Sequence, residues 1–146
     1  MSAAALSFAH DALLLDLDGT VWEGGRAILG AVEAIVGSGV AALYVTNNAS
    51  RAPEVVAEML RGIGLGADSR DVITSAEAAV ELVASRIPAG SRVLVLGSDS
   101  FKDIARSAGF DVVDSADAEP AAVLHGHNPA TGWAELSEAC LLYTSP

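Results

Sequence analysis

Two short apolar runs of the kind expected for buried parallel strands, Ala12 to Leu17 and Val40 to Val45, flank a segment whose apolar residues recur at helical spacing from Ile28 to Val36. That order constrains the fold more than any other feature of the chain. A connection of this length returns the second strand parallel to the first, and it does so with a right-handed crossover in nearly every known case. The carboxyl ends of the two strands then lie side by side, at the edge where open α/β sheets bind ligands. Asp16 and Thr46 fall at those two ends. Gly37 and Gly39 stop the crossover helix. Pro53 suits the first turn of the next, which carries Val56, Met59 and Leu60 and ends at Gly62 and Gly64.

The pattern then restarts. Ala76 to Ile87 reads as a helix broken by Pro88-Ala89-Gly90, and Val93 to Leu96 as a strand. Phe101 to Ala108 reads as a helix, Val112-Val113 and Ala121 to His125 as strands, and Trp133 to Ala139 as the start of a further helix. A boundary near Thr74-Ser75 therefore divides the chain into residues 1–75 and 76–139, both α/β. With 146 residues and 51% hydrophobic composition, the chain can bury a real core. The balance of 8 basic against 19 acidic residues, a net charge of −11, argues against nucleic acid or an anionic membrane as partner. A single cysteine, Cys140, excludes an internal disulfide and any multi-thiolate zinc site. Neither a signal peptide nor a run of about 20 apolar residues is visible, so the expected setting is the cytoplasm.

The strongest chemical signal is Asp16-Leu17-Asp18-Gly19-Thr20. Two carboxylates two residues apart at a strand end can both reach the ligand crevice. The first can ligate a hard divalent cation and attack phosphorus. The second can give a proton to a leaving oxygen and take one from water. Gly19 lets the chain turn out of the strand. A calcium loop fails on spacing, since counting from Asp16 puts Val21 at the sixth position and Ala27 at the twelfth. A turn in which Asp18 bonds its own backbone remains open on composition alone. Thr46-Asn47-Asn48 offers a hydroxyl and an amide to a phosphate oxygen, although Asn-Asn after a strand is also an ordinary turn.

Together these residues resemble the haloacid dehalogenase (HAD) superfamily. Asp16-Leu17-Asp18-Gly19-Thr20-Val21 is similar to its first motif and Thr46-Asn47-Asn48 to its second. With Ser50-Arg51 following, the second resembles the NagD-like, p-nitrophenyl phosphatase branch, subfamily IIA. Val72-Ile73-Thr74-Ser75-Ala76 resembles that branch's entry into a C2-type α/β cap, and the runs at 93–97 and 122–126 resemble cap strands. The resemblance implies a partial Rossmann-like HAD core followed by a partial C2 cap. It also implies a Mg²⁺-dependent phosphatase acting on a small phosphorylated metabolite through an aspartyl-phosphate. In that scheme Asp16 is nucleophile and metal ligand, Asp18 is acid/base with its main-chain carbonyl also a metal ligand, and Thr46 and Asn47 bind the phosphoryl group. Caps of this type often carry dimer contacts, so a homo-oligomer is a further expectation.

The chain also departs from the family. The lysine of the third motif and the Gly-Asp…Asp of the fourth normally lie beyond the cap, and the only lysine here, Lys102, falls in a cap helix. Asn128 stands where the branch usually carries Asp in a Gly-x-Asp cap motif. Residues 140–146 resemble a reading frame of a transposon end used in library preparation and are expected to be non-native. The corresponding expectation is a truncated, poorly active phosphatase. The alternatives are a noncatalytic phosphate- or Mg²⁺-binding module and an inactive remnant.

Three other patterns read as structure. His125-Gly126-His127 lacks a third metal ligand. Gly62-Ile63-Gly64-Leu65-Gly66 follows a helix rather than a strand, so it is no dinucleotide fingerprint. Gly97-Ser98-Asp99-Ser100 reads as a strand-to-helix turn with a Ser or Asp cap. Trp22, in the segment where the superfamily has a mobile flap, is open to either a packing or a functional role.

Overall fold

The computed structural model describes residues 9–144. They form two compact units. Among the described residues the first comprises 9–47 together with Pro53–Ile73, and the second comprises Asn48–Ala52 together with 74–144.

The first unit is built on strands β1 (Ala12–Asp16) and β4 (Ala41–Thr46), which pair parallel with Asp16 opposite Val45. Helix α1 (Ala31–Ser38) makes the crossover, and Gly30 and Gly39, both at positive φ, flank it. Helix α2 (Pro53–Gly62) follows β4, and β5 (Val72–Thr74) lies on the other side of β4. The hairpin of β2 (Trp22–Glu23) and β3 (Arg26–Ala27) was not legible as strands in the sequence. Its turn is Gly24-Gly25, both at positive φ, the pair that a two-residue type I′ turn favours.

The sequence suggests that β1 and β4 are buried on both faces; the structure buries one. Tyr44, Thr46, Val72 and Thr74 point into the protein, whereas Leu14, Val45 and Ile73 on the alternate positions are exposed. The core lies on the first of these faces, where Val56, Ala57 and Leu60 of α2 meet Leu17, Val21, Trp22, Tyr44 and Leu65. Helix α1 packs Val32 and Ile35 against the same cluster. Both helices thus serve one face, and the other is uncovered among the described residues.

The second unit has a sheet in the order β7 (Asp111–Val113), β6 (Arg92–Leu96), β8 (Ala122–His125), with β6 parallel to both neighbours. Here the central strand is covered on both faces, with Val93, Leu94, Val95 and Leu96 all buried. Helices α3 (Ser75–Ala84) and α4 (Asp99–Ser107) contribute Ala76, Val80, Phe101 and Ala105 to its core. Thr74 caps α3 in a reciprocal box with Glu77, and Ser98 caps α4 by accepting from the Phe101 N–H. The Gly97–Ser100 segment is therefore the strand-to-helix turn that its sequence suggests.

Helix α5 (Trp133–Thr144) runs past Ala139, so residues 140–144 continue a helix; residues 145–146 lie outside the described part. Glu138 of α5 accepts hydrogen bonds from the Ser115 hydroxyl and the Ala116 N–H. No helix among the described residues is long and apolar enough to cross a membrane.

The segment Asn48–Ala52 is held by the second unit. The Ser98 hydroxyl donates to the Ala49 carbonyl at 3.3 Å, and Ala49 is buried in the cluster around Phe101. Gly126 is required there: a Cβ on it would stand 2.8 Å from the Phe101 ring and 3.0 Å from the Ala49 methyl.

Three measurements check this packing. Leu60→Ala, at a fully buried site, should cost about 2–5 kcal/mol in urea unfolding, against less than about 0.5 kcal/mol for Leu29→Ala at a fully exposed one. Gly126→Ala should cost about 1–3 kcal/mol, and a double-mutant cycle with Phe101→Leu should show part of that cost removed. The third concerns Tyr44, where burial, with the Asp71 carboxylate adding to it, raises the phenol above its ordinary value of 10.0. The folded state therefore holds this proton more tightly than the unfolded chain. The stabilisation is complete below pH 10 and is lost as pH rises through the higher folded value. Alkaline unfolding monitored by circular dichroism should lose that component in Tyr44→Phe.

Candidate active site

The register of the first sheet positions the candidate residues. Asp16 is the last residue of β1 and lies opposite Val45, so Thr46 ends the neighbouring strand one residue further on. Asp16 falls on the open face of the sheet and is exposed, while Thr46 alternates to the buried face at 4% exposure. Asn47 is exposed where the chain leaves the strand. Asn48 serves the turn: its side-chain oxygen accepts from both the N–H and the hydroxyl of Ser50, at 2.8 and 2.6 Å. The strand ends thus bring Asp16, Thr46 and Asn47 to one edge, whereas Asn48 belongs with the second unit.

Beyond β1 the backbone folds back on itself. The Leu17 carbonyl accepts N–H bonds from Thr20, Val21 and Trp22, at 3.2, 2.9 and 3.0 Å. Gly19, at φ 87°, makes this possible and donates to the Trp22 carbonyl at 2.8 Å. Leu17, Val21 and Trp22 are buried, so the loop is pinned from beneath while Asp18 remains exposed. Asp18 does not bond its own backbone, which removes the simple turn reading. Its Oδ1 accepts a hydrogen bond from the Trp22 indole nitrogen at 2.9 Å. That role for Trp22 was missed in the sequence; the signal was an amphipathic donor four residues after the second carboxylate, Asp18.

Two exposed carboxylates with a hydroxyl and an amide nearby form a set of hard oxygen donors and hydrogen-bond donors. The carboxylates suit a magnesium ion, which binds through one or two carboxylates and completes its shell with water and phosphate oxygens. Among the described residues no group of three or more His, Cys, Asp or Glu is gathered to hold a metal. His125 ends β8 and His127 follows it, both exposed.

The second unit has its own cleft, of about 370 Å³, at the carboxyl end of β6. Gly97, Asp99, Lys102, Asn128 and Glu135 line it. Lys102 is paired with Asp114 at 2.9 Å, and the Asn128 amide donates to the Gly97 carbonyl at 3.0 Å. Asn128 therefore braces the strand-to-helix turn after β6.

The chain as a whole is similar to known proteins. The chain is 40% identical over 132 residues to the D-glycerol 3-phosphate phosphatase of Mycobacterium tuberculosis, covering 90% of this chain and 37% of that enzyme. It is 35% identical to human chronophin, with coverage of 92% and 50%. The crystal structure of the glycerol phosphate phosphatase of M. tuberculosis in complex with magnesium superposes with a TM-score of 0.92 at 37% identity, covering 97% of this chain and 43% of that one. The chain thus spans half or less of the length of these relatives. NagD from Escherichia coli, at 23% identity and a TM-score of 0.79, shares the fold. The family model for haloacid dehalogenase-like hydrolases matches residues 13–111, from within β1 to the start of β7. The parallel strand ends, the paired carboxylates and this match agree: the chain belongs to the haloacid dehalogenase-like hydrolases.

Proposed function

We propose that this chain supplies the nucleophile, the acid/base and the first phosphate contacts of a Mg²⁺-dependent phosphatase acting on a small phosphomonoester of the glycerol phosphate class. The observation that carries the reading is the placement of Asp16 and Asp18 as two exposed carboxylates on a pinned strand-end loop, beside the end of β4. The substrate class rests on the 40% identity to an enzyme of that specificity. In this reading the first unit is the N-terminal part of the HAD core and the second is part of a C2 cap.

A carboxylate oxygen of Asp16 attacks phosphorus, forming an Asp16 acyl phosphate as the bond from phosphorus to the ester oxygen breaks. Asp18 delivers a proton to that departing oxygen, and the alcohol leaves. Asp18, now ionised, takes a proton from water as the water oxygen attacks phosphorus. The bond to Asp16 breaks, inorganic phosphate is released, and both carboxyl groups return to their starting states. Asn47, exposed at the end of β4, donates a hydrogen bond to a phosphoryl oxygen and helps orient phosphorus toward Asp16, and Thr46, buried beside it, supports that strand end. Held by the Asp16 carboxylate and the Asp18 main-chain carbonyl, Mg²⁺ would supply positive charge that offsets repulsion between the carboxylate and the phosphoryl oxygens.

A second reading is a noncatalytic module that binds phosphate or Mg²⁺. Phosphate release from glycerol phosphate, measured with Mg²⁺ and again with EDTA, separates the two. Turnover that EDTA abolishes and added Mg²⁺ restores supports the enzyme. Calorimetric binding of Mg²⁺ and phosphate without turnover supports the module. In the enzyme, Asp16→Asn should lower kcat to background, by at least about 10³-fold, with an unchanged thermal unfolding profile. Retained turnover in that variant would remove Asp16 from the nucleophile's role.

A further inference from the structure

We infer that Trp22 is a positioning residue for proton transfer: its buried indole N–H fixes the rotamer of the Asp18 carboxylate and leaves Oδ2 as the oxygen that faces the ester oxygen of the substrate. The inference deepens the phosphatase reading and rests on it.

Trp22 holds the loop after β1 by three separate bonds. Its backbone N–H donates to the Leu17 carbonyl at 3.0 Å, its carbonyl accepts from the Gly19 N–H at 2.8 Å, and its Nε1 donates to Asp18 Oδ1 at 2.9 Å. One residue thus grips three successive residues of the motif. The two ends of the Nε1 bond have opposite exposures. Trp22 is 2% exposed and wedged among Leu17, Val21 and the residues of α2, so its ring direction is set by the core. Asp18 is exposed, and without the indole its carboxylate would exchange freely between rotamers.

A buried indole requires an acceptor for its single N–H, and Oδ1 supplies one whether or not Oδ2 carries the proton. The bond therefore transfers the rigidity of the core to a group that must itself remain accessible. Among the described residues the Asp18 side chain has no other hydrogen-bond partner, so Oδ2 is available to substrate and water. A general acid held in one rotamer delivers its proton along a defined line, and a loosely held one loses part of its catalytic advantage.

The consequence is selective. Protonation matters most when the departing oxygen belongs to an alcohol and little when it belongs to a nitrophenolate, which leaves readily as an anion. Loss of the Trp22 N–H should therefore lower kcat/KM, which reports the steps up to departure of the alcohol, about tenfold for glycerol phosphate and less than about twofold for p-nitrophenyl phosphate; water attack on the acyl phosphate, where Asp18 is the base, is common to both substrates and enters kcat alone. Trp22→Phe removes the N–H but also leaves space in the core. Replacement of Trp22 by β-(3-benzothienyl)alanine keeps the bicyclic shape and removes only the donor.

The contact has its own spectroscopic readout, independent of turnover. The chain contains only two tryptophans, and the other, Trp133, is 84% exposed, so a ¹⁵N-labelled sample should give two distinguishable indole resonances. Asp18→Ala should move the Trp22 indole resonance and speed its hydrogen exchange. Asp18→Asn, whose side-chain oxygen can still accept the bond, should preserve it.

The experiment is to measure both substrates with the wild-type chain and the benzothienyl variant, and the indole resonance in the two Asp18 variants. A selective loss on glycerol phosphate, together with a resonance that responds to Asp18→Ala, supports the assignment. An equal loss of kcat/KM on both substrates, no loss of it, or a resonance indifferent to Asp18→Ala overturns it while leaving the phosphatase reading intact. Absence of hydrolysis in the wild-type chain overturns the phosphatase reading itself and the positioning role with it. The resonance would then report only a structural Asp18–Trp22 bond.

Discussion

The parallel pairing of β1 with β4, in the register that sets Asp16 opposite Val45, is the constraint on which the rest of the candidate site depends. Side chains on a strand alternate, so a slip of one residue would turn Asp16 inward and Leu15 outward. The register is fixed by the face that must be buried. Tyr44 and Thr46 on β4 lie against the core, with Leu15 of β1 packed onto the same cluster, so Asp16 has only the opposite side left. The burial preferences of a few apolar residues therefore decide where the carboxylate stands.

The one-sided covering of this sheet follows from its connections. The right-handed crossover through α1 puts that helix on one face, and α2 joins the same cluster, so the alternate face receives no helix from the described residues. In the second unit the strand order β7-β6-β8 adds strands to both sides of β6, and all four of its residues from Val93 to Leu96 are buried. Two α/β sheets of similar size thus differ in burial because one grows from a single edge and the other from both.

Much of this was legible in the chain, for identifiable reasons. The β1–α1–β4 unit was readable because long apolar runs and helical spacing survive local detail, and Asp16 and Thr46 were found as the residues that end those runs. The β2–β3 hairpin escaped because each strand has two residues, too short for alternation to register, although Gly24-Gly25 was a usable turn signal. Strand β5 escaped because its three residues run into the cap of α3 without a break. The burial of β1 was misjudged because an apolar run cannot reveal whether one or two faces will be covered; Leu14 is 71% exposed within such a run. The attachment of Asn48–Ala52 to the second unit had no periodic signature at all. It depends on Ser98, Phe101 and Gly126, residues about fifty or more positions away.

The loop after β1 shows how an accessible site is made rigid. Chemistry on a substrate requires Asp16 and Asp18 to be exposed, and exposed loops are ordinarily mobile because little holds them. Here the accessible residues alternate with anchored ones: Leu17 follows Asp16, and Val21 and Trp22 follow Asp18 after the turn at Gly19. Each fully buried large apolar side chain contributes about 1.5–3 kcal/mol by leaving water. Lifting the loop would forfeit several such contributions at once, along with the three N–H bonds to the Leu17 carbonyl. The order of the loop therefore derives from burial beneath it rather than from contacts among its functional groups.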